Sequence, residues 1–343
     1  MSVQQQKTSL LSRLPAPWFV MTALCVIYIT VVVIVAGDVY TLMTIGSWSA
    51  PPELMPHVYN RLGYDGQSVF YIARYGLEIE PFVDVPAYRA GRILLPALGN
   101  ILAFGQVEAI PYTLTFINML AMAGGTFLLG RLLQGYGISR WFVVGYALSF
   151  GVMGAVRLST TEPLAYGLVI AGIYTWQQKK WLWSAIIFML AGLTKEPTLL
   201  FAATFVLLDF ADRRFKRGVL FGAIVIVPFI AWQFVLYNQF GRFGVGSGAG
   251  GATGFEIIPL MGFWRILLDG NPVTFATLGT IIGLFVVLPT LWAAWQCGLD
   301  GRAAWRQSRN LDSPENPGSR QWDWLSLVLL IQVLVIFTAP FST

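Results

Sequence analysis

Charge is scarce in this chain: only 11% of its 343 residues are Asp, Glu, Lys or Arg, whereas 56% are hydrophobic. A soluble domain of this length needs far more charge to cover its surface, so that class is excluded. Histidine occurs once and cysteine twice. Cys25 and Cys297 lie in separate apolar runs, which excludes a disulfide framework or a zinc site, and both are expected in the core.

The apolar residues form runs close to the roughly 20 residues that a helix needs to cross the hydrocarbon core. Membrane β-strands alternate apolar and polar residues instead, so the runs indicate helices. We predict an all-α, multi-pass membrane bundle of about nine transmembrane helices, with residues 1–343 as a single transmembrane domain. The predicted spans are 18–37, 111–132, 141–156, 163–177, 182–194, 197–209, 218–237, 272–297 and 323–341.

Basic residues orient these spans. The strongest cluster is 213–217, and the positive-inside rule places it in the cytoplasm, together with the N-terminus and the polar linker 299–321. The net charge of +5 is explained by such clusters, so a nucleic-acid partner is not expected. Counting spans then places four polar segments on the non-cytoplasmic face, where they can converge on one site. These segments are 38–110, 157–162, 195–196 and 238–271.

The first outer segment, 38–110, satisfies this count only if it never crosses the membrane. Its apolar stretch, residues 93–104, is therefore expected to be an interfacial helix on the outer side. The alternative, that 93–104 is a further span, requires one misplaced basic cluster. The glycine-rich segment 238–271 lacks the GK[ST] of a nucleotide-binding loop, and it is either a lid over a substrate or a plain connector.

Charge is concentrated within 59–98, in a segment reading YNRLGYDGQSVFYIARYGLEIEPFVDVPAYRAGRILLPAL. Asp65 lies in its GYDGQ turn, flanked by the candidate substrate contacts Tyr64 and Gln67. At a membrane surface this carboxylate can act as a base on a hydroxyl or bind a cation. A purely structural role, capping the following helix, is equally compatible with the pattern.

The order of these features resembles the GT-C superfamily, membrane glycosyltransferases that use polyprenyl-phosphate sugars, and within it the mannosyltransferase-like branch. The resemblance covers roughly residues 15–240 and rests on one span, a Tyr-Asp-Gly turn followed by VFYIARYG, the RILLPAL stretch, and the later STTEP and LTKEP motifs. It implies that Asp65 is the catalytic base, that Glu162 is a second catalytic acidic residue and that Lys195 meets the lipid phosphate. The chain departs from the pattern in having Glu at 162 and in ending early, which leaves open whether the natural chain extends past Thr343.

Chemistry gives the same site an independent rationale. When a sugar leaves a lipid phosphate, negative charge grows on that phosphate and needs cationic side chains. Arg89 and Arg92 can instead snorkel at the interface, and Lys195 with Glu196 can be a neutralised pair. The candidate substrate-binding residues on the outer face are Arg89, Arg92, Arg157, Lys195, Glu196 and Arg242.

A divalent cation is neither required nor identified by the sequence, and no cofactor follows from it. Asp65, Glu80 and Asp84 are the only candidate ligands, but their spacing fits no defined metal loop. Solvated loop charge is the simpler interpretation of Glu78, Glu80 and Asp84. His57 is at most a minor substrate contact.

The sequence therefore predicts an inverting membrane glycosyltransferase that moves a sugar from a polyprenyl-phosphate donor to an acceptor hydroxyl on the non-cytoplasmic face. Its expected partners are the polyprenyl-phosphate sugar, a glycan or lipid acceptor, and membrane lipid. The alternatives are a non-enzymatic transporter or lipid-handling membrane protein, and a catalytically inactive scaffold of the same fold.

Overall fold

The computed structural model describes residues 16–248 and the single positions 280, 288, 291 and 295. Within this part of the chain every regular element is helical, apart from one isolated bridge between Gly46 and Asn60. The all-α prediction is confirmed for these residues. Several predicted features lie outside them: Cys297, most of the span 272–297, the span 323–341, the linker 299–321 and most of the loop 238–271.

The α-helices are α1 (Pro17–Ala36), α2 (Asp65–Tyr75), α3 (Pro86–Ala90), α4 (Leu94–Leu102), α5 (Ile110–Gly135), α6 (Val143–Ala147), α7 (Ala155–Arg157), α8 (Glu162–Gln177), α9 (Trp181–Thr194), α10 (Leu199–Ala211) and α11 (Phe215–Phe240). Short 3-10 turns cover Val39–Leu42, Pro52–His57, Val107–Ala109, Arg140–Phe142 and Glu196–Thr198, and a π-helical turn covers Phe150–Gly154.

Three segments of the described chain are long and apolar enough to cross a membrane: Pro17–Ala36, Val107–Gly135 and Phe215–Phe240, with 20, 29 and 26 residues. A helix rises 1.5 Å per residue, so about 20 residues match a hydrocarbon core of about 30 Å. These helices are consistent with a membrane protein. α1 begins with a proline in its first turn and ends at Gly37, whose left-handed φ of 69° terminates it.

The predicted spans 163–177, 182–194 and 197–209 form helices of about the expected length, which is below the roughly 20 residues of a full crossing. α8, α9 and α10 have 16, 14 and 13 residues, so they are only about 20 to 24 Å long. The predicted span 141–156 is not one regular helix, since a 3-10 turn, α6, a π turn and α7 follow one another between Arg140 and Arg157. The count of nine spans therefore remains a prediction.

Helices α8 to α11 form a series of antiparallel hairpins. The hydroxyl of Ser184 on α9 donates to the carbonyl oxygen of Gly172 on α8 at 2.8 Å. Phe188, Phe205 and Phe221, one from each of α9, α10 and α11, are fully buried against one another. Large aromatic side chains at these positions remove enough apolar surface from solvent to hold the three helices together.

Helices α5 and α8 run in the same direction. Near their starts the Asn118 amide donates to the Thr160 carbonyl oxygen at 2.9 Å, and at their far ends the Gln177 amide donates to the Tyr136 hydroxyl at 2.9 Å. Together with the hairpins, this arrangement gives the bundle two distinct ends. One end carries segments 38–110, 157–162 and 195–196; we call it the site end.

The opposite end, which we call the basic end, carries the starts of α1 and α11 and the turns that contain Lys179, Lys180, Arg213 and Arg214. The acidic candidate residues and the strongest basic cluster thus lie at opposite ends of the bundle, as the span count requires. Which end faces the cytoplasm remains a prediction.

The first segment, 38–110, is folded rather than an open loop. Phe70 and Tyr71 of α2 are fully buried, as is Leu95 of α4, and α2 packs on α4, which packs on α5. The apolar stretch 93–104 forms α4, whose nine residues reach only about 14 Å and are too short to span. This packing gives the site end a rigid base.

Candidate functional site

Asp65 is the first residue of α2, and its side chain does not cap that helix. Its Oδ1 instead accepts a hydrogen bond of 2.7 Å from Nη1 of Arg89 on α3. The Asp65 side chain is 46% exposed, whereas that of Arg89 is only 15% exposed. Asp65 therefore presents a solvent-accessible carboxylate that a nearly buried cation holds in place.

Arg89 bonds a second carboxylate as well. Its Nε donates to Oδ1 of Asp84 at 2.8 Å and its Nη2 donates to Oδ2 at 3.1 Å. Burial alone would lower the pKa of Arg89, but the Asp84 and Asp65 carboxylates raise it above its ordinary value. The guanidinium is therefore a permanent cation between these two acids.

The structure separates the residues that were considered as metal ligands. Arg89 occupies the space between Asp65 and Asp84, and Glu80 is exposed in the preceding turn. No group of three His, Cys, Asp or Glu side chains that can hold a metal ion occurs among the described residues.

His57 pairs with Asp38 at 2.7 Å and stacks on Tyr40. These contacts do not involve Asp65.

Arg92 connects segment 38–110 to the turn between α9 and α10. Its Nη2 donates to the hydroxyl of Tyr88 at 2.6 Å, and its Nε donates to Oε2 of Glu196 at 3.4 Å, across 104 residues of sequence. Burial would lower the Arg92 pKa, but Glu196 and Tyr88 raise it above its usual value. Two of the four polar segments thus meet directly.

Lys195 and Glu162 form the second ion pair of the site. Nζ of Lys195 donates to Oε1 of Glu162, with the side chains 16% and 23% exposed. Burial would raise the Glu162 pKa, but the Lys195 ammonium lowers it below its ordinary value. The other oxygen, Oε2 of Glu162, is buried and accepts no hydrogen bond from a described residue.

A shared local pattern explains how the sequence places these two glutamates. Glu162 and Glu196 each directly precede a proline, and each Glu-Pro pair opens a helical turn. Proline is preorganised for the first helical turn, and the helix dipole favours a carboxylate at that position. Lys195 adopts an extended backbone (φ −159°) between α9 and this turn, which directs it toward Glu162.

Tyr64 lies near both ion-paired groups. It is 50% exposed; burial raises its pKa, Asp65 and Glu162 raise it further, and Lys195 opposes them. Tyr64 is thus within electrostatic range of all three charges. We call the assembly the Asp65 cluster, and its members are Tyr64, Asp65, Asp84, Tyr88, Arg89, Arg92, Glu162, Lys195 and Glu196.

Three predicted substrate contacts have other surroundings. Gln67 is 7% exposed and uses its amide inside the protein, accepting from the Gly46 N–H at 2.9 Å and donating to a backbone carbonyl. Arg157 donates to the Thr41 carbonyl oxygen at 2.8 Å. Arg242 is exposed just after α11 and forms no ion pair with a described residue.

The sequence reasoning missed two supports of the cluster. Tyr88 precedes Arg92 by four residues, and this helical spacing was a usable signal for their contact. Trp232 on α11 donates from Nε1 to the carbonyl oxygen of Ala90 at 2.9 Å, which fixes α3 against the end of α11.

Gly244, in the glycine-rich segment, also packs closely against α3. A Cβ at this position would lie 2.7 Å from the Ala87 carbonyl oxygen.

The fold and the cluster together define a helical protein with helices suited to crossing a membrane and a dense set of ion pairs at one end. Comparisons of the chain with protein-family models, with curated proteins and with solved structures find no match.

Proposed function

We propose that the protein is a membrane glycosyltransferase of the GT-C type, which moves a sugar from a polyprenyl-phosphate donor to an acceptor hydroxyl on the non-cytoplasmic face. The observation that carries this proposal is the accessible Asp65 carboxylate beside three nearly buried cations, Arg89, Arg92 and Lys195. Such a combination offers a base for one reactant and positive charge for the other.

Asp65 serves as the base in this scheme. Arg89 bonds only Oδ1 of Asp65, and no described residue donates a hydrogen bond to Oδ2. An acceptor hydroxyl can therefore bind at Oδ2 and give up its proton there as its oxygen attacks the anomeric carbon. Arg89 fixes the direction of the carboxylate, and Asp84 in turn fixes Arg89.

The departing phosphate requires positive charge, because the electron pair of the broken sugar–oxygen bond leaves with it. Arg92 and Lys195 provide that charge, and Glu196 and Glu162 hold the two cations in position before the donor binds. Attack opposite the leaving phosphate inverts the anomeric carbon. Binding of a lipid-linked donor fits a cluster that lies at the end of apolar helices.

The test is a transfer assay with membranes that contain the full-length protein and a panel of radiolabelled polyprenyl-phosphate sugars. Replacing Asp65 by Asn removes the base and keeps the shape, so transfer is expected to fall by about 100-fold or more. The matched control is Glu78→Gln, which removes an exposed carboxylate from the same segment and is expected to leave transfer within about twofold.

Two outcomes contradict the proposal in different ways. Equal transfer by the wild type and the Asp65→Asn variant removes Asp65 from its role. Absence of transfer with every donor, together with solute uptake in proteoliposomes, favours a transporter.

A further inference from the structure

A second candidate site lies at the basic end of the bundle and plays no part in the proposed transfer. The start of α1, the second half of α5 and the turn Arg140–Phe142 enclose a cleft of about 120 Å³. Its walls include Trp18, Phe127, Gly130, Arg131 and Arg140. The cleft therefore combines aromatic side chains with two cations.

The two cations differ from the arginines of the Asp65 cluster because no described acidic residue neutralises them. Neither Arg131 nor Arg140 forms an ion pair with a described residue, and no described acidic side chain lines the cleft. Arg217, at the same end of the bundle, is bound to Asp209 instead. Arginine side chains without a described acidic partner are free to bind a phosphate group, which their planar guanidiniums match in geometry.

The surroundings of the cleft are suited to acyl chains. Helix α1 is largely uncovered, since only 17% of its most apolar stretch is buried inside the protein. Phe19, beside the cleft, is 56% exposed. Trp18 and Phe127 contact each other edge to face with their ring centres 5.9 Å apart, which joins α1 to α5 at the cleft. Aromatic rings of this kind favour the depth of lipid head groups.

We propose that this cleft binds one anionic phospholipid. Arg131 and Arg140 hold its phosphate, and the acyl chains lie along the exposed apolar faces of α1 and α5. A basic pocket between apolar helices, at the end of the bundle where cations are concentrated, is the arrangement that anionic head groups recognise. Free phosphate would use the two arginines but none of the apolar surface.

The experiment uses the full-length protein in a neutral detergent. Phosphatidylglycerol, or phosphatidylcholine with the same acyl chains, is added; retained lipid is counted by native mass spectrometry and the melting temperature is measured. Phosphatidylglycerol is expected to be retained and to raise the melting temperature. The Arg131→Gln/Arg140→Gln variant is expected to bind it about tenfold or more weakly.

The matched control is Lys179→Gln/Lys180→Gln, which removes the same charge from exposed positions at the same end and is expected to bind the lipid like the wild type. A separate variant, Gly130→Leu, keeps both arginines and adds bulk where a Cβ meets Val143 and Arg140 at no less than 3.6 Å; it is expected to weaken binding. Three results would overturn the proposal. The two lipids could be retained equally, both charge variants could lose lipid binding equally, or inorganic phosphate could raise the melting temperature as much as phosphatidylglycerol does.

Discussion

Arg89 donates a hydrogen bond of 2.7 Å to Asp65 across 24 residues of sequence, and this bond fixes α3 to the first residue of α2. The same guanidinium bonds Asp84, so one nearly buried cation organises two acids. The direction of the proposed base therefore depends on a residue that does not touch the acceptor in the proposed scheme. Arg89 is a positioning residue.

Replacement of Arg89 by Met is expected to destabilise the protein by about 1–3 kcal/mol, because Asp65 and Asp84 would face each other without their shared donor. Thermal unfolding of the purified protein in detergent measures this loss. The control is Arg61→Met at an exposed position of the same segment, where a change of at most about 0.5 kcal/mol is expected. Equal losses in both variants would mean that the Arg89 bonds contribute no more than an ordinary surface charge.

Gly66 supports the site through close backbone packing. A Cβ at this position would overlap the carbonyl oxygen of Leu158, and it would also lie 3.2 Å from the Met43 carbonyl oxygen. Gly66→Ala must displace the segment that leads to Glu162, so we expect a loss of about 2 kcal/mol or more in unfolding free energy. Gly124→Ala in α5, where a Cβ meets nothing within 4 Å, serves as the control and should be at least as stable as the wild type, because alanine is favoured over glycine inside helices.

Much of this site could be predicted from local sequence. The glycine-flanked Tyr-Asp turn and the aromatic stretch after it indicated a short helix beginning near Asp65, and α2 spans Asp65–Tyr75. The predicted spans 163–177 and 197–209 begin at the two Glu-Pro steps, where helical turns start in the structure. These signals are local because capping, turn geometry and helical periodicity depend on residues a few positions apart.

The partners of the charged residues could not be predicted in the same way. Asp84 was interpreted as solvated loop charge, yet it bonds Arg89, because only the folding of α2, α3 and α4 onto one another sets their distance. Gln67 follows a polar-looking turn, yet it is buried and accepts a hydrogen bond from the Gly46 N–H. The broken course of the predicted span 141–156 also escaped prediction, since hydropathy reports where a run is apolar and not where its helix bends or ends.

The pH dependence of stability tests the Lys195 pair. The pKa of Glu162 lies below its ordinary value of 4.5 because Lys195 outweighs the opposing effect of burial. Ionised Glu162 therefore contributes stability that is fully present above about pH 4.5 and is lost as the pH falls through the lower folded-state pKa. Melting temperatures measured from about pH 6 downward, through the range below pH 4.5, follow the loss of that contribution.

Lys195→Met is expected to reverse the sign of this contribution. Without the ammonium, burial of the Glu162 carboxyl loses its main opposing effect. We expect its folded-state pKa to rise above 4.5, so that the ionised form becomes a cost and the variant gains stability relative to the wild type as the pH falls toward 4.5. Lys180→Met, at an exposed position of the basic end, controls for general charge effects. Identical pH profiles for the two lysine variants would contradict the assigned role of Lys195.

Cysteine accessibility tests which end of the bundle faces the cytoplasm. Glu78 and Lys180 are both exposed, at the site end and the basic end respectively, and Cys25 is buried. With Cys25 and Cys297 replaced by Ala, a cysteine at 78 should react with a membrane-impermeant maleimide in intact cells. A cysteine at 180 should react only after permeabilisation, because the positive-inside rule places the basic end in the cytoplasm. The opposite labelling pattern would put Asp65 on the cytoplasmic face, where the proposed orientation of the donor no longer holds.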